Sequence, residues 1–386
     1  MLKLSKNSIE NIILLLYSIA LFVMFYGKIF FIGAHLIFGI IFFFSIIIMK
    51  LDKFFVQEPN KLFLPIILFS TLLVFGVIYT KAPNYGSHKA LLFSSLVLPS
   101  LLISPMSLKL NKYLFVSITL LLLTLLIDFG SPWSILNNVS SFYRLGSDDN
   151  NPIILSRGLG LGVISGLFLL RTELSKTKKI IISILVFLFF IYMVFTASKG
   201  PVLAMLVSIG FYYLFNPYDK RIIKKLRLTI IIVSLSFFII KFLDYEILFL
   251  KNRINNEGSF SSRLELYNLL LNNFYDGGIF NFLFGFGTGN FGFLYSGMDQ
   301  NEYPHNMILE VLYENGIIGL IVLLTIIVIL LFSFFKKKII KEKIYLFVIS
   351  IYFLINSFFT GDIAGNVMFF IFAYFALSRS KSLSLN

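Results

Sequence analysis

The chain has 386 residues, of which 58% are hydrophobic and 13% charged, with 47 phenylalanines and no cysteine. Soluble globular proteins run at about 45–50% apolar and about 25% charged, so this composition excludes an ordinary soluble enzyme. Disulfides, thiolate catalysis and cysteine metal sites are excluded with it, and the formal net charge of +14 reads as lysines marking cytoplasmic loops rather than as a nucleic-acid footprint.

Many apolar runs exceed the roughly 18 residues that mark a membrane span. The first of them has no small-residue cleavage site and leads straight into a second, which reads as a retained helix and not a signal peptide. Twelve spans are expected, at 9–26, 29–49, 62–80, 88–104, 113–129, 150–170, 179–197, 200–216, 228–249, 306–334, 343–360 and 361–378. With the amino terminus in the cytoplasm, the segments that fall inside carry 23 lysines and arginines and those outside carry 8. That asymmetry puts both termini in the cytoplasm. The expectation is therefore an all-α polytopic membrane protein, a single integral-membrane domain over 1–386. Two loops face outward, 130–149 and the long segment 250–305, which lies between the ninth and tenth spans. Long loops are often functional or disordered, and this one carries aromatics, glycines and a helix signature. The first outer turn, Tyr26-Gly27-Lys28, contains no acid.

The long loop reads as a short amphipathic helix followed by turns. Ser262-Arg263-Leu264-Glu265 has the S-x-x-E form of a capping box. Leu264, Tyr267, Leu271 and Phe274 recur at helical spacing, and Gly277-Gly278 ends the run. Such a helix lies against the outer membrane surface or over the bundle. Arg263 falls in its first turn, where free N–H groups and a guanidinium together suit phosphate oxygens; a solvated surface arginine is the alternative. "GTGNFG", Gly287 to Gly292, has the dinucleotide-binding spacing. Without a strand before it and a helix after it that reading is rejected, and the glycines are assigned to tight turns and close backbone approach.

The tenth span opens with "YPHNMILEVLYENGIIGL", Tyr303 to Leu320. Pro304 suits a first helical turn, which puts His305 and Asn306 at the outer end. A helix start disfavours imidazolium, so a neutral His305 can accept a proton; an interfacial polar residue is the alternative. On an ideal helix Gly316 and Gly319 return to the His305 face, and Glu310 and Glu314 cluster opposite it, about 7 Å and 13 Å deeper. Acids at that depth are costly and usually paired. Arg157, in the sixth span, is the expected partner, and a structural ion pair competes with a catalytic role. His35, His88 and His305 show no metal-ligand spacing, so no metal and no other cofactor is expected.

"SSRLELYN", "FGFGTGNFGF" and "PHNMILEVLYENGIIGL" resemble, in this order and spacing, the signature region of the O-antigen ligase and O-antigen polymerase superfamily. Arg263, Tyr267, Gly285, Gly287, His305, Asn306, Glu314, Gly316 and Gly319 carry the match. "TASKGP", Thr196 to Pro201, resembles the family's turn between the seventh and eighth spans, with Lys199 in place of an arginine; lysine keeps the charge but not the bidentate fork. "YRLGSDDNNPIILSRG" resembles the region of a family arginine before the sixth span, and either Arg144 or Arg157 stands for it. The resemblance implies the membrane fold called GT-C and a metal-independent glycosyltransferase in the bacterial inner membrane with its site on the periplasmic side. It implies a donor glycan on undecaprenyl diphosphate, a glycan or lipid acceptor, contact with the lipid bilayer, and partners such as chain-length regulators or other polysaccharide assembly proteins. His305 and Arg263 are then the expected catalytic residues, with Arg157, Arg144, Lys199, Asn306 and Tyr267 on substrate and Glu310, Glu314, Gly316 and Gly319 in support. Polymerase, ligase, and transporter or flippase of lipid-linked glycans stay open; the absence of visible inverted repeats disfavours the last.

Overall fold

The computed structural model describes residues 15, 25, 59–101, 107–130, 151–172, 174–216 and 261–378. The expected spans 9–26, 29–49 and 228–249, the turn Tyr26-Gly27-Lys28, the loop 131–149 with Arg144, and residues 250–260 with Arg253 lie outside the described residues. Regular structure among the described residues is helical throughout. In chain order the α-helices are α1 (Phe63–Gly76), α2 (Pro83–Ser100), α3 (Ser107–Phe129), α4 (Pro152–Leu169), α5 (Lys176–Phe195), α6 (Lys199–Phe215), α7 (Ser261–Asp276), α8 (Gly278–Phe284), α9 (Asn290–Ser296), α10 (Met307–Phe335), α11 (Ile344–Asn356) and α12 (Val367–Leu377). Among the described residues α3, α4, α5 and α10 are long and apolar enough to cross a membrane, and α1, α6 and α12 are shorter apolar helices.

Helix α4 is the hub, packing against α3, α5, α6 and α11. Its glycines let these neighbours close in. A Cβ on Gly158 would meet the ring of Phe25, on Gly160 the Tyr352 ring, and on Gly162 Ile118 and Phe189. Small residues at such crossings replace the hydrophobic drive that lipid does not supply. Most of the buried apolar side chains belong to one cluster running through the bundle.

Contacts sort the helix ends into two groups. At one end Tyr192, near the end of α5, donates its hydroxyl to the Gly130 carbonyl after α3 (2.5 Å), and the Met307 amide of α10 bonds the Ser357 carbonyl after α11 (2.9 Å). At the other end Tyr374 of α12 bonds the Leu101 carbonyl after α2 (2.9 Å) and its own carbonyl accepts from Asn60 before α1 (2.9 Å). There Lys343 caps the carboxyl end of α12 through the Ser378 carbonyl and hydroxyl (2.7 and 2.8 Å). Arg171 after α4 bonds Tyr212 and Tyr213 of α6. This second end also holds Lys61, Lys176 and Lys336, the side on which membrane proteins keep their positive charge.

Three expectations change. Helix α2 begins at Pro83, five residues before the expected span, so Lys89 lies nearly two turns inside the helix rather than at its mouth, and is fully buried. On α7 Leu271 and Phe274 pack as expected, against Phe291 and Tyr313, but Leu266 and Leu270 join them and Leu264 is exposed. This face lies over the bundle, the second of the two positions open from sequence. Finally, α10 is not a continuous helix. Gly316 sits at φ 66°, ψ −167°, a region only glycine adopts cheaply, so it divides a half-helix, 307–315, from a long one, 317–335. The carbonyls of Tyr313 and Glu314 left over at the break accept from the Phe286 amide (2.9 Å) and the Gly287 amide (3.0 Å). Irregular backbone in membrane proteins is tolerated where protein satisfies it in this way. The unbroken part rises about 28 Å, near the thickness of the hydrocarbon core.

Candidate functional site

The amino-terminal ends of α4, α6, α7 and α10 converge at the lysine-poor end of the bundle. A cleft of about 400 Å³ opens there, lined by Ile153 at the start of α4, the turn and first residues of α6 from Ala197 to Pro201, Leu203, Arg263 in the first turn of α7, and Phe359 and Thr360 after α11. The turn before α6 is made by Ala197 in the left-handed region at φ 51°. Close approach of α6 to Phe359 leaves a tight fit at Gly200, whose Cβ would lie 3.2 Å from Phe359 Cβ. Two cations, Lys199 and Arg263, thus face one cavity at the start of α6, where backbone amides add partial positive charge. Both are half-buried.

His305 lies within electrostatic reach of Arg263. It is not in the first turn of α10, as expected, but just before it, with φ 56°. The cap is Asn306, whose side-chain oxygen accepts from the amides of Ile308 (3.0 Å) and Leu309 (3.2 Å). That capping occupies the oxygen of a residue expected to contact substrate. The His305 ring packs edge-on against Tyr303 at 4.7 Å, and its Nδ1 is buried with no hydrogen-bond partner among the described residues. Burial lowers its pKa below the usual value, and the Arg263 charge lowers it further, which favours the neutral ring. A non-glycine residue held in the left-handed region is the kind of strain that collects at functional sites.

Deeper lies a polar cluster. Arg157 is 5% exposed; its Nη2 donates to Asn366 Oδ1 (2.7 Å), its guanidinium covers the Phe353 ring at 5.4 Å, and its Nε is unpaired among the described residues. It does not pair with the two acids of α10. Lys89 does, through Nζ to Glu310 Oε1 (2.6 Å) and to both oxygens of Glu314 (2.8 and 2.9 Å). All three side chains are fully buried. Lys89 also lies 4.7 Å from the centre of the Tyr85 ring, and the Tyr85 hydroxyl donates to Asp362 Oδ2 (2.6 Å). The Tyr303 hydroxyl senses this whole group. Burial first, then Asp362 and Glu310, push its pKa up to about 12, against the pull of Arg157 and Lys89.

The structure therefore brings Arg263 and Lys199 together, with His305 in electrostatic reach and Arg157 behind. Tyr267, one turn beyond Arg263 on α7, does not line the cleft. Glu310 and Glu314 are bound up in the Lys89 cluster. Gly316 breaks the helix, and Gly319 fits against the Asn315 side chain. Lys89, Tyr303, Thr360 and Asp362 escaped sequence reasoning. For Lys89 a signal existed: Pro83 at a helix start puts it nearly two turns inside.

The loop "GFGTGN" is the socket for the broken helix. Thr288 bonds the carbonyls of Gly76 through its amide (3.2 Å) and Leu73 through its hydroxyl (2.8 Å). The positive φ of Gly285, Gly287 and Gly289 permits this path, as read from sequence.

Residues 184–324 match the family model described as O-Antigen ligase. The matched stretch, a little over a third of the chain, supports a likeness to the O-antigen ligase and polymerase superfamily. The match runs from α5 to the middle of α10 and so contains Lys199, Arg263 and His305, whereas Lys89, Arg157 and Thr360 lie outside it. No curated protein and no solved structure gives a significant match. This likeness and the four helices long and apolar enough to cross a membrane support a multi-pass membrane protein related to the O-antigen ligases.

Proposed function

We propose that the protein is a metal-independent membrane glycosyltransferase that polymerises oligosaccharide repeat units carried on undecaprenyl diphosphate. The observation that carries this reading is the cleft where Lys199, Arg263 and the start of α6 meet, with the half-buried His305 in electrostatic reach of Arg263. A diphosphate leaving group needs fixed positive charge as it departs, and these groups supply it. The acceptor hydroxyl loses its proton to the His305 ring as its oxygen attacks the anomeric carbon. The bond from that carbon to the diphosphate breaks, and the electron pair leaves on phosphate. Arg157 holds the donor from below through its unpaired Nε. The low lysine count at this end supports an extracytoplasmic site, with the lysine-rich end in the cytoplasm.

A second reading, a ligase that moves finished glycan onto a lipid core or another acceptor, is favoured by the description of the matched family model. Deleting the gene and separating the surface glycan on a gel distinguishes them. Acceptors bearing single repeat units are the expected result. Acceptors with no glycan at all would make the protein a ligase, and an unchanged ladder would refute both.

A further inference from the structure

Helix α8 carries an apolar surface that the fold leaves open. None of its seven residues is buried. Ile279 is 75% exposed, Phe280 50% and Phe282 40%, and Tyr275 just before them 74%. Contiguous apolar surface of this kind marks a protein or membrane contact. Two observations decide for the membrane. The first is continuity. Leu64, Leu68, Phe75 and Ile78 are exposed along one side of α1 and the turn after it, which is how a bundle helix meets lipid. That stripe runs directly into α8: Phe280 packs on Tyr79 at 5.4 Å and Phe284 on Phe75 at 6.3 Å.

The second observation is depth. Helix α8 ends against the break in α10, where a Cβ on Gly316 would run into the Leu283 carbonyl. From Lys336, which follows the last turn of α10, back to Gly316 the helix rises about 30 Å, the thickness of the hydrocarbon core. Helix α8 therefore sits at the level where acyl chains give way to headgroups. Helix α1 alone, at about 21 Å, is too short to cover that thickness. Ile78 and α8 complete its apolar wall.

We infer that α8 lies in the bilayer interface at the cleft end of the bundle, with Ile279, Phe280 and Phe282 among the lipids and Tyr275 at headgroup level. Aromatic rings are favoured at that boundary. The helix ties to the membrane surface the same layer whose α7 presents Arg263. The inference does not rest on the proposed reaction.

The natural absence of cysteine allows a direct test. Phe280→Cys and Ile279→Cys on α8, and Glu265→Cys on the exposed side of α7, are each labelled with bimane and reconstituted in phosphatidylcholine–phosphatidylglycerol vesicles. Only variants that elute from size exclusion like the parent are used. The labels on α8 should be quenched by lipids bearing a shallow doxyl group and be several-fold less accessible to aqueous iodide than the label at 265. Iodide quenching on α8 equal to that at 265 would overturn the inference. Shielding from both quenchers would overturn it as well, and would assign the face to a protein partner.

Discussion

Lys89→Met isolates the contribution of the buried ion cluster. Met fills the volume of the lysine stem but leaves Glu310 and Glu314, both fully buried, without their cation. Removing one partner of a buried ion pair costs about 3–5 kcal/mol. Here one ammonium serves two carboxylates at 2.6–2.9 Å, so the upper part of that range is expected. The acids suffer unequally when mutated singly. Glu314 uses both oxygens and Glu310 one, so Glu314→Gln should destabilise more than Glu310→Gln, and both less than Lys89→Met, because in each single variant the remaining acid still neutralises Lys89. The triple variant Lys89→Met, Glu310→Gln, Glu314→Gln buries no charge and should regain most of the loss, since neutral replacements of buried pairs are often near neutral in effect. The measurement is the unfolding free energy in mixed SDS and non-ionic micelles. If Lys89→Met unfolds within about 1 kcal/mol of the parent, or if the triple variant is less stable than Lys89→Met, the assigned cluster is wrong.

Arg263→Ala should lower transfer from a lipid-linked donor by about 10²–10³, and Arg263→Lys should recover only part, because the bidentate geometry is lost. The same change removes one of the two causes that lower the His305 pKa, burial being the larger. In the proposed reaction His305 acts as the base in its neutral form, present above its pKa and lost as pH falls through it. In Arg263→Ala that pKa rises, so the acid limb of residual activity should move to higher pH yet stay below the ordinary histidine value; with three histidines in the chain, carbon-13 NMR can follow the titration directly, and an unmoved limb refutes the electrostatic coupling. Gly316→Ala should destabilise well beyond the roughly 1 kcal/mol of its positive φ, because the new Cβ also strikes the Leu283 and Gly285 backbone; Gly297→Ala, at φ 72° in open space, should cost only the conformational part, and equal losses in denaturation would refute the packing argument. Purified enzyme should keep its turnover in EDTA; loss restored by magnesium or manganese would show that a metal shares the diphosphate charge.

Sequence alone determined the features that depend on periodicity and composition. Apolar runs, the helix beginning near Ser262 and the turn at Thr196–Pro201 are local properties; each described apolar run has a helical counterpart, of which α3, α4, α5 and α10 are long and apolar enough to cross a membrane. The signature around Arg263 and His305 was legible for the same reason: helix starts and glycine turns are written in neighbouring residues. Tertiary structure decided which side chains meet. Arg157 was the plausible partner for Glu310 and Glu314 by depth, but depth does not fix which helix faces which, and α2 brings Lys89 to them instead. The break at Gly316 could not be read from helical spacing, because a glycine inside a helical run continues the helix unless outside amides, here from Phe286 and Gly287, take up the carbonyls it releases. Likewise Lys199 and Arg263, more than sixty residues apart in sequence, share a cleft only because α6 and α7 begin at the same end of the bundle.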